Sequence, residues 1–161
     1  MGVFSSIAHV ALQVRDLGAS IEFYEKLGFP EFLRLNNDDG TPWIVYMKVD
    51  DNFFFELFPG DDTGTAPQGT TGVHHLSLDA TDINETVAHL ESVGIPLSTP
   101  LKPNGARGVD GNRGCWITDP DGNRIELMEM APNCIQNEAL QALKEGKGPT
   151  ALTRPLKPAA S

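Results

Sequence analysis

The chain is poor in cysteine, in aromatic residues and in positive charge. Only Cys115 and Cys134 stand among 161 residues. That is too few for a disulfide-stapled scaffold and lacks the spacing of a cysteine metal site, so a reducing, cytoplasmic setting is expected. Lys and Arg number 12 against 22 Asp and Glu, a formal net charge of -10. Such a surface repels phosphate backbones and anionic lipid, which argues against nucleic acid and membrane as partners. No apolar run reaches the ~18 residues that span a bilayer. The opening MGVFSS has no secretion-signal shape. Its Gly2 and Ser6 fit a loose myristoylation pattern, read here as small residues ahead of a first strand.

What is present is an ordinary globular balance, 40% hydrophobic and 21% charged, and an internal repeat. His9-Val-Ala-Leu-Gln-Val-Arg-Asp16 returns 66 residues later as His75-Leu-Ser-Leu-Asp-Ala-Thr-Asp82. Each Asp is placed to cap a helix, and Glu85 completes a capping box with Asp82. Leu17, Ile21, Tyr24 and Leu27 recur at helical spacing, as do Ile83, Val87, Leu90 and Val93. Both helices stop at Gly-x-Pro, at Gly28 and Gly94. Strands are expected at 31–36, 42–49 and 53–58, then at 97–101, 113–118 and 124–130. The unit is βαβββ used twice, an α+β fold within residues 1–132. Module one covers about 5–59, a linker 59–72, and module two about 73–130. Asn133 could cap a short helix, and a tail from Lys147 to Ser161 closes the chain.

Side chains alternate along a strand. That puts Val10, Leu12 and Val14 on one face and His9, Ala11 and Gln13 on the other. The same parity sets Glu56 with Phe54 and Phe58, and Glu126 with Arg124 and Met128. His9 and His75 are repeat-equivalent, and so are Glu56 and Glu126 at an offset of 70. If the copies pair about a pseudo-two-fold axis, these four can converge as ligands of one divalent metal, with open positions for substrate. His74 is read as structural on the opposite face, and His89 as part of the second helix. Trp116 and Tyr46, also 70 apart, are candidate pocket walls with core packing as the plainer role. The Gly-rich stretch Lys102 to Arg113 is either a closing loop or a long hairpin connection.

The segments HVALQVRDLGASIEFYEKLGF, FFFELF, VHHLSL and TDPDGNRIELMEM resemble the vicinal oxygen chelate superfamily, which includes glyoxalase I and the bleomycin-resistance proteins. The resemblance runs over about residues 6–130. It implies a cupped mixed sheet with helices on its convex face, and a homodimer with the metal site either within one chain or shared. By ligand set it is similar to glyoxalase I, whose His, Glu, His and Glu fall on His9, Glu56, His75 and Glu126. The implied activity is that of a lyase or isomerase acting by proton transfer through a metal-bound enediolate on a small hydroxy-carbonyl or hemithioacetal substrate. Glu126 would be the base and Glu56 its counterpart. The metal would be nickel, cobalt, manganese, zinc or iron. Arg124, Gln13, Trp116 and Arg107 are the substrate-binding candidates. Glutathione-dependent members carry Arg where this chain has Gln13 and Asn where it has Gly60, which argues against glutathione as co-substrate. An extradiol-type iron dioxygenase and a non-catalytic metabolite-binding protein are the alternatives; a fourth ligand at Glu56 counts against the first, and the ligand set itself against the second.

Overall fold

The structure is a computed structural model that describes residues 6–60 and 73–147. Most of the expected linker, the tail beyond residue 147 and the first five residues lie outside the described residues. Module one runs β1 (His9–Val14), α1 (Leu17–Lys26), β2 (Glu31–Asn36), β3 (Pro42–Lys48) and β4 (Phe54–Pro59). Module two runs β5 (Leu76–Asp79), α2 (Ile83–Ser92), β6 (Arg113–Thr118) and β7 (Arg124–Glu129), followed by α3 (Ile135–Lys144). Among the described residues no helix is long and apolar enough to cross a membrane.

The caps explain why the two copies bend alike. Asp16 accepts a hydrogen bond from the Ala19 amide, and Asp82 from the Asn84 and Glu85 amides. Each occupies donors that a helix start leaves open. Gly28 and Gly94 then take left-handed backbone, at φ 87° and 75°, and end their helices. The third helix differs from expectation: Cys134 rather than Asn133 holds its cap position, with no side-chain bond.

The α+β class and the doubled module are as expected, with the strands divided between two sheets. One has the order β1-β4-β3-β2 and the other β5-β7-β6. In both, the first strand of the module lies parallel to the last. The expected strand at 97–101 is only a bridge between Thr99 and Trp116. Pro96, Pro100 and Pro103 space out its backbone donors, since proline has no N–H to give to a ladder.

The inner faces of the sheets meet the helices in one core. Tyr24, Val45, Phe55 and Leu57 of module one share it with Ile83, Leu90, Ile117 and Ile125 of module two. Polar contacts lock the same seam. The buried Tyr24 hydroxyl donates to Asp119 at 2.9 Å, and the Arg15 amide and Nε both donate to Asp121. Asp119 also accepts from the Asp121 and Asn123 amides, so the tight β6–β7 turn is itself the latch. His89 of α2 donates from Nε2 to the Lys26 carbonyl at 2.6 Å, closing the end of α1.

Burial pushes the Tyr24 phenol well above its ordinary range, and the Asp119 charge adds to the effect. A raised folded value means the stabilisation is complete below the unfolded tyrosine value of about 10 and is lost as pH climbs beyond it. Tyr24→Phe should cost about 1–2 kcal/mol at neutral pH. It should also remove a wild-type alkaline loss of up to about 1.4 kcal/mol per pH unit. Urea titrations of both proteins from pH 7 to 11 check this; parallel alkaline losses would contradict it.

Candidate metal centre

Module one builds its half of the centre from two adjacent parallel strands. In register, β1 sets His9 opposite Phe54 and Ala11 opposite Glu56 on β4. The His9 ring stacks on Phe54 at 5.3 Å and 20°. His9 Nε2 lies 3.6 Å from Glu56 Oε2. The Glu56 side chain is 15% exposed, and it accepts a hydrogen bond from no described residue. Tyr46 faces it across the sheet, and Tyr46, Phe32 and Phe54 form an aromatic cluster with Phe32 half exposed.

Module two repeats the geometry. His75 Nε2 lies 3.5 Å from Glu126 Oε2, with the Glu126 side chain 19% exposed. Glu126 sits between Ser77 of β5 and Trp116 of β6. His75 stands just before β5, where strand alternation no longer applies. His74, expected on the other face, therefore meets it: the two Nδ1 atoms are 2.7 Å apart, one donating to the other. That contact occupies the inner nitrogen of His75 and leaves Nε2 toward Glu126, the arrangement common to metal-bound imidazoles. Trp116 packs edge-on against His75 at 4.9 Å.

The donor set fits a divalent metal. Two ligands at bond lengths of about 2.1 Å stand roughly 3.0–3.4 Å apart for right-angle to tetrahedral geometry, close to both His–Glu separations. Neither pair is a hydrogen bond, and each mixes an imidazole nitrogen with a carboxylate oxygen. The pairs do not converge on each other, however. Among the described residues no three His, Cys, Asp or Glu side chains are grouped to hold a metal ion. The reason is the seam: the modules join through the helix-side core, so their open faces are not brought together within one chain.

A cavity of about 160 Å³ opens beside Glu126, lined by Lys102, Asp110, Asn112, Arg113, Trp116 and Met128 among others. The Gly-rich stretch is thus part of the wall, and it is pinned. Buried Asn112 accepts from the Ala131 amide and donates to Asp110 and to Gln136 of α3. Burial would raise the Asp110 carboxyl, but hydrogen bonds from Gln136 and Asn112 outweigh it and hold it below its usual range. Asn112 and Asp110 were not among the expected site residues; the Gly-rich stretch was legible as a loop or connection but its tie to α3 was not. Trp116 lines the cavity, and Arg124 lies over its ring at 4.3 Å. Arg107 is turned toward the Gly111 carbonyl. Both cysteines are free and buried.

Gln13 and Gly60 prove to be neighbours. A Cβ on Gly60 would stand 2.9 Å from Gln13 Cγ and 3.2 Å from the Val14 carbonyl oxygen. The backbone oxygen cannot retreat, because it accepts the Gly60 amide at 2.8 Å. Gly60→Asn should therefore lose about 1–3 kcal/mol of stability through overpacking. Gln13→Ala in the same chain should restore only part of it. Thermal melts of the three variants decide, and a neutral Gly60→Asn would mean this corner is loose.

Comparison with known proteins agrees with this architecture. The model of the Glyoxalase/Bleomycin resistance protein/Dioxygenase superfamily matches residues 6–127. An uncharacterised Bacillus subtilis protein, YwbC, is 30% identical over 129 residues, covering 76% of this chain and 96% of that protein. The glyoxalase family protein from Enterococcus faecalis superposes with a TM-score of 0.66 at 29% identity, covering 78% of this chain and 98% of its own. The lactoylglutathione lyase from Agrobacterium tumefaciens gives 0.57 at 27% identity, covering 80% and 96%.

Proposed function

The chain belongs to the Glyoxalase/Bleomycin resistance protein/Dioxygenase superfamily, and on that premise we propose a divalent-metal-dependent lyase or isomerase whose metal is held between two copies of the chain. It acts by proton transfer on a small hydroxy-carbonyl substrate. The observation that carries this reading is the doubled His–Glu pair, at 3.6 Å and 3.5 Å, on repeat-equivalent positions. Each pair is half of a four-ligand set. A two-fold dimer that lays module one of one copy against module two of the other joins His9 and Glu56 to His75 and Glu126, twice over. The open aromatic face around Phe32, Tyr46 and Phe54 supports such a cover, since it would otherwise keep apolar surface in water.

A bound divalent ion, whether nickel, cobalt, manganese, zinc or iron, supplies electrostatic stabilisation to charge developing on adjacent substrate oxygens. The chain's own residues do the rest. Glu126 takes the proton from the carbon beside the carbonyl and returns it to the neighbouring carbon. Glu56 stands as its counterpart on the opposite side. Trp116 walls the substrate, while the aromatic cluster of module one keeps water from the reacting carbon. Gln13 and Gly60 stand together where glutathione-dependent enzymes of this kind carry Arg and Asn, which supports a thiol-free substrate. Free buried thiols and the acidic surface suit a cytoplasmic setting.

The test gives full-length protein, loaded with nickel or zinc in separate reactions, two substrates in D2O. One is the methylglyoxal–glutathione hemithioacetal, the other glyceraldehyde. Metal-dependent deuterium incorporation is expected with glyceraldehyde and little with the hemithioacetal. Glu126→Gln should lower the rate by about 10²–10⁴-fold while most of the metal stays bound. An inert metal-loaded protein, or a Glu126→Gln variant that keeps its rate, would overturn the reading.

A further inference from the structure

The cations of this acidic chain are not placed at random. Among the described residues Arg15, Lys26, Arg34, Lys48, Arg113 and Lys147 each lie within 4 Å of a carboxylate. Lys102, Arg107, Arg124 and Lys144 make no such ion pair. Three of these four gather around the Glu126 cavity: Lys102 lines it, Arg107 belongs to its loop, and Arg124 lies on its Trp116 wall.

Arg124 is the most telling. Its guanidinium is laid over the Trp116 ring at 4.3 Å, and its side chain donates a hydrogen bond to no described residue. A cation–π contact holds the group in place but consumes none of its five donors, so it stands ready for a bidentate partner. Its position on β7, two residues before Glu126, points it to the same side of the sheet as the proposed base. Lys102 is the second free cation, its Nζ donating only to the Arg107 carbonyl at 3.2 Å. Two of the carboxylates nearby are already engaged. Asp110 is saturated by Asn112 and Gln136, and Glu129 takes Arg113 and the Ile83 amide.

We propose that Arg124, held over Trp116 and assisted by Lys102, is an anion-recognising element of the Glu126 half-site, so that the substrate carries a carboxylate or phosphate besides its hydroxy-carbonyl group. This rests on the proton-transfer reading for the rest of the substrate but not for the anion preference itself. In a protein of net charge -10, an anionic substrate is repelled at long range. Selectivity for it needs cations near the site that no carboxylate has paired, and among the described residues Arg124 and Lys102 are two such groups.

Binding, not turnover, is the test. Full-length cobalt-loaded protein is titrated calorimetrically with dihydroxyacetone, dihydroxyacetone phosphate and hydroxypyruvate, which share a hydroxyketone and differ in the added anion. One or both anionic compounds should bind about tenfold tighter than the neutral one, the scale of a charge-assisted contact. Which of the two gains tells phosphate from carboxylate. In Arg124→Gln the preference should vanish, and in Arg124→Lys return in part, with cobalt affinity and melting temperature unchanged in both. Equal affinities in the wild type, no binding by any of the three, or a preference that survives Arg124→Gln would overturn the proposal. An anion preference without deuterium exchange would leave this site standing and sink the proton-transfer reading instead.

Discussion

A carboxylate largely withdrawn from water beside an imidazole, with no hydrogen-bond donor among the described residues, is the constraint on which the rest of the molecule turns. Removing such a charge from water costs several kcal/mol unless a cation stands beside it. Glu56 and Glu126 both meet that condition, and both face an imidazole at the separation of two ligands sharing one metal. The parallel pairing of first and last strands is what creates this meeting. It is built the same way in both modules, from sequence distances that differ by four residues.

The seam between the modules follows from the same logic. Apolar inner faces fuse into one core, and the Tyr24–Asp119 and Arg15–Asp121 contacts fix the angle. Joining through the helix side leaves each ligand pair on an open face, incomplete alone. Chemistry is thereby divided: module one offers an aromatic face, module two a cavity with cations on its wall. A dimer that joins them would set an apolar wall, a metal and an anion-binding fork around one small molecule.

Much of this was legible in the chain. Asp16 and Asp82 announce their helices because a cap is a local event, and Gly28 and Gly94 end them for the same reason. The parity of His9, Ala11 and Gln13 against Val10, Leu12 and Val14 reads straight onto exposed and core faces. The repeat singled out the two His and the two Glu, and the parallel strand pairing then set each His beside its Glu. What escaped depends on contacts between distant segments. The strand at 97–101 was lost to its prolines, His74 turned toward His75 where alternation ends, and Asn112 reached α3. Whether four ligands meet inside one chain depends on the packing angle of two modules, which no periodicity encodes.

That angle makes the shared centre the claim to test, by mixing two disabled chains. One carries His9→Ala with Glu56→Gln, the other His75→Ala with Glu126→Gln, and cobalt binding is followed by absorption. Neither should bind alone at the wild-type site. Randomly paired, half the dimers are mixed and each regains one intact site of two, so about a quarter of the wild-type capacity should return. A mixture as empty as its components would contradict a centre built between two copies.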